Sequence, residues 1–172
     1  MIKIKFPSDK KTLAALNAGD IVSISGTLYT ARDAAHKRFS ELIEKGLPLP
    51  FDICGQALYY TGPCPAVSGQ VIGSCGPTTS ARMDPFTPEL LDKGLAAVIG
   101  KGKRSEEVKN SFKNNKAVYF VAIGGAGAYY SDAVRKTECV CFGDLGTEGV
   151  YKLTVEDFKA VVAVDSSGKS IY

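Results

Sequence analysis

Gly76-Pro77-Thr78-Thr79-Ser80-Ala81-Arg82-Met83-Asp84 is the stretch around which the chain is organised. Pro77 has no amide hydrogen and a fixed φ, so a preceding strand cannot continue through it. Three hydroxyl residues follow where a helix or helical turn can begin, and their oxygens can accept its unpaired amides. Those amides carry partial positive charge, which makes such a terminus a seat for anions. Arg82 lies four residues after Thr78, a spacing that in a helical turn returns its guanidinium to the same face. A hydroxyl, backbone amides and a bidentate cation then converge on one spot suited to a carboxylate or phosphate oxygen. The same residues read equally as a capped helix carrying a solvated arginine.

Working outward, strands alternate with short helices. Met1–Phe6 alternates like an edge strand, and Ile21–Leu28 is a β-branched strand after the turn at Asn17–Asp20. Thr30 reads as a helix N-cap with Asp33 at capping-box spacing; Ala35, Phe39, Leu42 and Ile43 form the apolar stripe, and Gly46 and Pro48 end the helix. Arg32 then falls in the first turn, where a cation opposes the helix dipole. It either pairs with nearby Asp33 or glutamates, or it awaits an anion. His36, the only histidine, reads as a structural or partner-facing hydrogen-bonding residue, because no companion metal ligand stands at suitable spacing. Phe51–Gly76, rich in Gly, Pro and Cys, suggests β structure with rigid loops.

Downstream, Thr87-Pro88-Glu89 starts a short helix, with Thr87 as cap, that ends near Gly94. Leu95–Gly100 is a buried strand running into Lys101, a lysine between two glycines. That is where ligand-binding residues often stand in open α/β sheets, although a solvated turn reads the same way. Ser105-Glu106-Glu107 opens a third helix, and Ala117–Ala122 is another strand. It ends at Gly124-Gly125-Ala126-Gly127, whose spacing is not that of a dinucleotide loop. In the tail, Val150–Leu153 and Ala160–Asp165 read as strands separated by a polar turn. The pattern is α/β, with a mixed sheet and short flanking helices in a single domain over residues 1–172.

The 172 residues suffice for one core, burying about 70% of the unfolded surface. With 23% charged and 45% hydrophobic residues, the composition is that of a soluble globular protein. The formal charge of +3 is spread along the chain, and its one basic run, Lys101-Gly102-Lys103-Arg104, is too short to suggest nucleic-acid binding. No stretch approaches the ~20 apolar residues of a membrane span, and the N-terminus lacks the apolar core of a signal peptide. Cys54, Cys64, Cys75, Cys139 and Cys141 are an odd set without CxxC spacing, which reads as reduced thiols in a cytoplasmic protein.

Several ordered motifs together resemble one family. Gly19-Asp20, Thr30-Ala31-Arg32-Asp33-Ala34-Ala35-His36-Lys37-Arg38, Tyr60-Thr61-Gly62-Pro63, the Gly76–Asp84 stretch and Gly100-Lys101-Gly102 resemble the β subunit, or C-terminal domain, of class I iron–sulfur fumarate hydratases and L(+)-tartrate dehydratases. The resemblance runs along nearly the whole chain. It implies a swivelling β/β/α-type domain that partners a separate α subunit carrying a 4Fe–4S cluster, in higher oligomers of αβ units. It implies a C4 dicarboxylate substrate held by Arg32, Arg82 and Lys101, with Thr78 as the base that withdraws a proton next to a carboxylate, Thr79 as its local substitute in the binding set, and Arg82 also catalytic. The cluster-bearing half is expected on the other subunit, so that this chain alone has no hydratase activity. Fumarate/malate and tartrate differ by one hydroxyl and stay alternatives.

Two readings of other classes stand beside it. One is a stand-alone module in which the same three cations bind a small carboxylate without chemistry. The other is a cysteine enzyme with Cys75 as nucleophile and His36 as base, which requires the two to meet in space.

Overall fold

The computed structural model describes residues 1–172. Its strands are β1 (Ile2–Phe6), β2 (Ile21–Thr30), β3 (Ala57–Tyr59), β4 (Ala97–Gly100), β5 (Val118–Val121), β6 (Val134–Cys141) and β7 (Val150–Val164). The helices are α1 (Lys10–Ala14), α2 (Asp33–Glu44), α3 (Thr87–Asp92), α4 (Glu106–Asn115) and α5 (Gly127–Ser131), with 3-10 turns at Ser80–Met83 and Gly143–Glu148.

The sheet order is β1-β2-β3-β4-β5-β7-β6, and β2 also pairs with β7. Strands β2, β3, β4, β5 and β7 therefore close into a ring, with β1 and β6 added at its edges. β1 through β5 run parallel to one another, whereas β7 is antiparallel to β2, β5 and β6. This is the mixed α/β architecture expected from the sequence.

Strand period puts alternate residues on opposite faces. Ala57 and Tyr59, Ala97 and Ile99, and Val118 and Phe120 point into the ring, where Ile24, Leu28, Leu153 and Phe158 join them. Leu58, Val98 and Tyr119 face outward beneath Ala35 and Phe39 of α2, Leu90 and Leu91 of α3, and Val108 and Phe112 of α4. Both faces of β3, β4 and β5 are thus covered, which explains why these strands read as unbroken apolar runs.

Several expectations are corrected. Thr30 does not cap α2. It is the last residue of β2, and its hydroxyl accepts from the Tyr151 amide at 3.0 Å and donates to the Gly149 carbonyl. Closure of the ring onto β7 claims it. Arg32 is consequently the N-cap, in extended conformation with no side-chain cap bond, and Asp33 is the acid of the first turn. Thr87 does not cap either: it is the first residue of α3, and its hydroxyl accepts from Arg104 Nη2 and donates to the Met83 carbonyl. The organising stretch makes a single 3-10 turn and not an α-helix, so Thr78 and Arg82 do not share a helical face. Phe51–Gly76 contains only the short β3 and is otherwise irregular. The polar turn expected in the tail is the middle of one continuous strand, β7. Val155 and Phe158 are buried while Glu156 and Asp157 are exposed, and Asp157 takes a positive φ of 55° opposite the irregularity at Ile24/Gly26. Helix α4 opens at Ser105 as read, and the structure adds the cap: the Ser105 hydroxyl accepts from the Val108 amide.

Candidate active site

Because β2 to β5 are parallel, their carboxyl ends open on one side of the ring, where ligands of α/β sheets are commonly bound. Arg32 follows β2, Tyr60-Thr61-Gly62 follows β3, Lys101 follows β4 and Gly124 lies just past β5. The Gly76–Asp84 loop is fastened across these ends. The Thr78 amide donates to the Tyr60 carbonyl at 2.7 Å, the Thr61 hydroxyl donates to the Gly76 carbonyl at 2.7 Å, and the Ser80 amide donates to the Lys101 carbonyl at 3.0 Å. Thr79 and Lys101 form an isolated parallel bridge, and Ser80 Oγ accepts from the Lys101 amide at 3.1 Å. Two of the amides expected to seat an anion are thus spent on neighbouring strands. What the loop offers to a ligand is side chains: Thr78 is half-buried, while Thr79 and Arg82 are exposed.

Two of the three cations, Arg32 and Arg82, are linked by one carboxylate. Arg82 donates from Nε and Nη2 to the two oxygens of Asp33, at 3.1 and 2.8 Å. The same Asp33 lies 4.0 Å from Arg32 Nε, which has Glu148 on its other side at 3.8 Å. Neither contact of Arg32 is a hydrogen bond, and its buried Nε has no partner. Gly62 makes room for this guanidinium: a Cβ there would stand 2.9 Å from Arg32 Cδ and 3.1 Å from Nη1. Lys101 runs along Gly124, whose added Cβ would meet its Cδ at 3.4 Å. The glycine loop after β5, which resembled a dinucleotide loop only loosely, is therefore a wall beside Lys101, and the Cys75 amide ties to the Gly127 carbonyl at 3.2 Å. Sequence reading missed this role. Its available signal was the same one that drew attention to Lys101, glycines directly past a buried strand.

A buried network, also unread in the sequence, holds the two loops together from below. The Arg104 side chain is fully buried; Nε donates to Asp84 Oδ1 and Nη2 to Thr87 Oγ1. Its guanidinium lies 4.9 Å from the Tyr119 ring centre and about as close to Tyr60 and Phe112. Asp84 Oδ2 accepts from the Ser105 amide, and Tyr119 Oη reaches both Ser80 Oγ and the Gly102 carbonyl.

His36 and Cys75 do not meet. Cys75 belongs to the cluster inside the ring, and burial pushes its thiol up to about 12, far from a working thiolate. His36 lies on the outer face against Tyr60 and Phe39. Its Nδ1–H donates to the Arg32 carbonyl at 2.8 Å, and burial holds the imidazole down at about 4. Folding thus favours the neutral ring. Between an ordinary histidine value of about 6.5 and about 4 the unfolded chain binds a proton that the native chain refuses, so stability falls as pH drops through that window. Replacing His36 by Gln is expected to flatten that slope, by on the order of 1 kcal/mol per pH unit, in denaturant titrations from pH 7 to 4; an unchanged slope contradicts the assignment.

A 4Fe–4S cluster requires several thiolates around one point. Cys54, Cys64 and Cys139 are exposed, Cys141 is half-buried, Cys75 is in the core, and all five are free. No three His, Cys, Asp or Glu side chains gather closely enough to hold a metal ion, so the residues of this chain do not fit such a cluster. No helix is long and apolar enough to cross a membrane.

Comparison with known proteins extends over the same residues that build this site. The chain matches the family described as Fumarase C-terminus from residue 1 to 172. It is 36% identical over 175 residues to "Fumarate hydratase 2" of Leishmania major, an alignment covering 99% of this chain and 31% of that protein. It is 35% identical over 168 residues to "Fumarate hydratase class I, anaerobic" of Escherichia coli, covering 95% and 31%. It is 38% identical over 169 residues to "Putative L(+)-tartrate dehydratase subunit beta" of Methanocaldococcus jannaschii, covering 95% and 87%. The chain spans about a third of the length of these fumarate hydratases and most of the length of the subunit. With every residue inside the matched span, the chain belongs to the Fumarase C-terminus family.

Proposed function

We propose that this chain is the β part of a hydro-lyase that interconverts fumarate and L-malate, sharing its site with a separate α part that holds a 4Fe–4S cluster. The observation that carries the reading is the set of three cations, Arg32, Arg82 and Lys101, standing past the carboxyl ends of β2 and β4 and on the loop fastened across them. A C4 dicarboxylate has two anionic ends, and trans elimination of water builds further negative charge next to one of them. Guanidinium and ammonium groups already in place stabilise that charge without reorganising, typically the largest catalytic contribution. Arg82 offers its Nε/Nη2 edge for a bidentate carboxylate, with Arg32 and Lys101 for the remaining oxygens. Thr78, half-buried at the foot of the loop, is the base that takes the proton from the carbon next to the carboxylate, and Thr79 lines the same seat. Having half of the site, the chain alone is inactive, and αβ units assemble further.

L(+)-tartrate dehydration is the second reading, favoured by the length of the match to the archaeal β subunit. Anaerobic assembly with a cluster-bearing partner, followed by assays of fumarate hydration and tartrate dehydration, tests both; turnover is expected only in the assembled pair. A carboxylate-binding module without chemistry is the outcome if a loaded pair binds but does not turn over.

A further inference from the structure

The Arg82 seat already holds a carboxylate. Asp33 occupies its Nε/Nη2 edge with two hydrogen bonds, 3.1 and 2.8 Å long, the geometry a substrate carboxylate would adopt on the same edge. Both side chains are accessible, 51% for Arg82 and 37% for Asp33. An ion pair this exposed contributes little to stability, so the fold does not need it. Asp33 is anchored at the first turn of α2, whose N-terminus favours an acid there. It also has a second cation to turn to, Arg32 Nε at 4.0 Å, which is buried and lacks a hydrogen-bond partner.

We propose that Asp33 is a placeholder carboxylate: it fills the Arg82 seat in the ligand-free site and yields it when a dicarboxylate arrives. This rests on the dicarboxylate reading above. In yielding, Asp33 shifts toward Arg32 and keeps that guanidinium aimed; on product departure it retakes Arg82 and so speeds release. Asp33 is a positioning residue here and does not touch the reacting carbon.

The test is titration of the full chain with succinate, a C4 dicarboxylate that cannot be dehydrated, using wild type, Asp33→Asn and Arg82→Ala. Removing the competing negative charge that sits in the seat itself, 2.8 to 3.1 Å from the Arg82 guanidinium, is expected to tighten succinate binding roughly three- to tenfold, with the melting temperature little changed. In the assembled enzyme the same variant is expected to lower KM and kcat together, a pairing that a purely structural role does not produce. Asp33→Ser serves as a second variant should Asp33→Asn fold poorly. Succinate binding by Asp33→Asn that is absent, equal to or weaker than that of wild type, while Arg82→Ala weakens it, overturns the placeholder and leaves the site reading intact. Binding indifferent to Arg82→Ala overturns the site reading itself.

Discussion

Thr78→Ala is expected to lower kcat of the proposed assembled enzyme by about 10²–10⁴-fold with little change in KM, the range for losing a positioned proton-transfer group. The placement behind this is specific. Thr78 is fixed by the hydrogen bond its amide donates to the Tyr60 carbonyl, at the rim of β3, while Thr79 next to it is exposed and engaged through its backbone with Lys101. Thr79→Ala therefore costs far less. A hydroxyl is a weak base at its free pKa, and the charges that would help it here are the neighbouring cations, which favour an alkoxide. Thr78→Ser keeps the hydroxyl and restores most of the rate. Steady-state kinetics on the three variants checks the order, and equal losses at Thr78 and Thr79 contradict it.

Arg104→Met destabilises the chain by about 3–5 kcal/mol, the usual cost of breaking a buried ion pair by removing one partner. For a protein of this size that corresponds to a fall of roughly 10 °C in melting temperature. The reason is the isolation it leaves behind. Asp84 would keep only the Ser105 amide, and Thr87 Oγ1 and the faces of Tyr60, Phe112 and Tyr119 would lose the cation they surround. Arg104→Lys rescues little, because one ammonium nitrogen replaces the two, Nε and Nη2, that reach Asp84 and Thr87 separately, and it lacks the planar face packed against the three rings. Calorimetric melting checks both variants. By contrast the exposed Arg82–Asp33 pair is worth at most about 1 kcal/mol, which separates residues that hold the site from residues that use it.

How much of this was legible in the sequence depends on how local each cause is. The start of α4 at Ser105, the apolar runs of β3 to β5 and the glycine-flanked Lys101 are set by neighbours along the chain, and they were readable. Thr30 and Thr87 carry the right residue types for helix caps, yet partners distant in sequence, Tyr151 for one and Arg104 for the other, claim their hydroxyls. The tail was read as two strands because Thr154 to Lys159 is polar on one face. Only the ring, pairing β7 with β2 on one side and with β6 and β5 on the other, makes a single strand of it. Arg32, Arg82 and Lys101 each stood out locally and motif resemblance joined them into one set; that Asp33 reaches Arg82, 49 residues away, and that Gly62 and Gly124 give the cations space, are facts of closure that no spacing encodes.

The central claim is that three cations at the carboxyl ends of the parallel strands form one dicarboxylate seat. It is tested most directly by running the assembly assay with Arg32→Gln, Arg82→Gln and Lys101→Met beside wild type. The expected result is turnover by the wild-type pair and a loss of about 10²-fold or more in kcat/KM for each neutral variant. Activity retained in all three, with the cluster loaded in each, would contradict it and move the substrate elsewhere on the chain. The apolar cavity of about 280 Å³ between Pro63, Ile72 and Tyr151 would then be the first place to look.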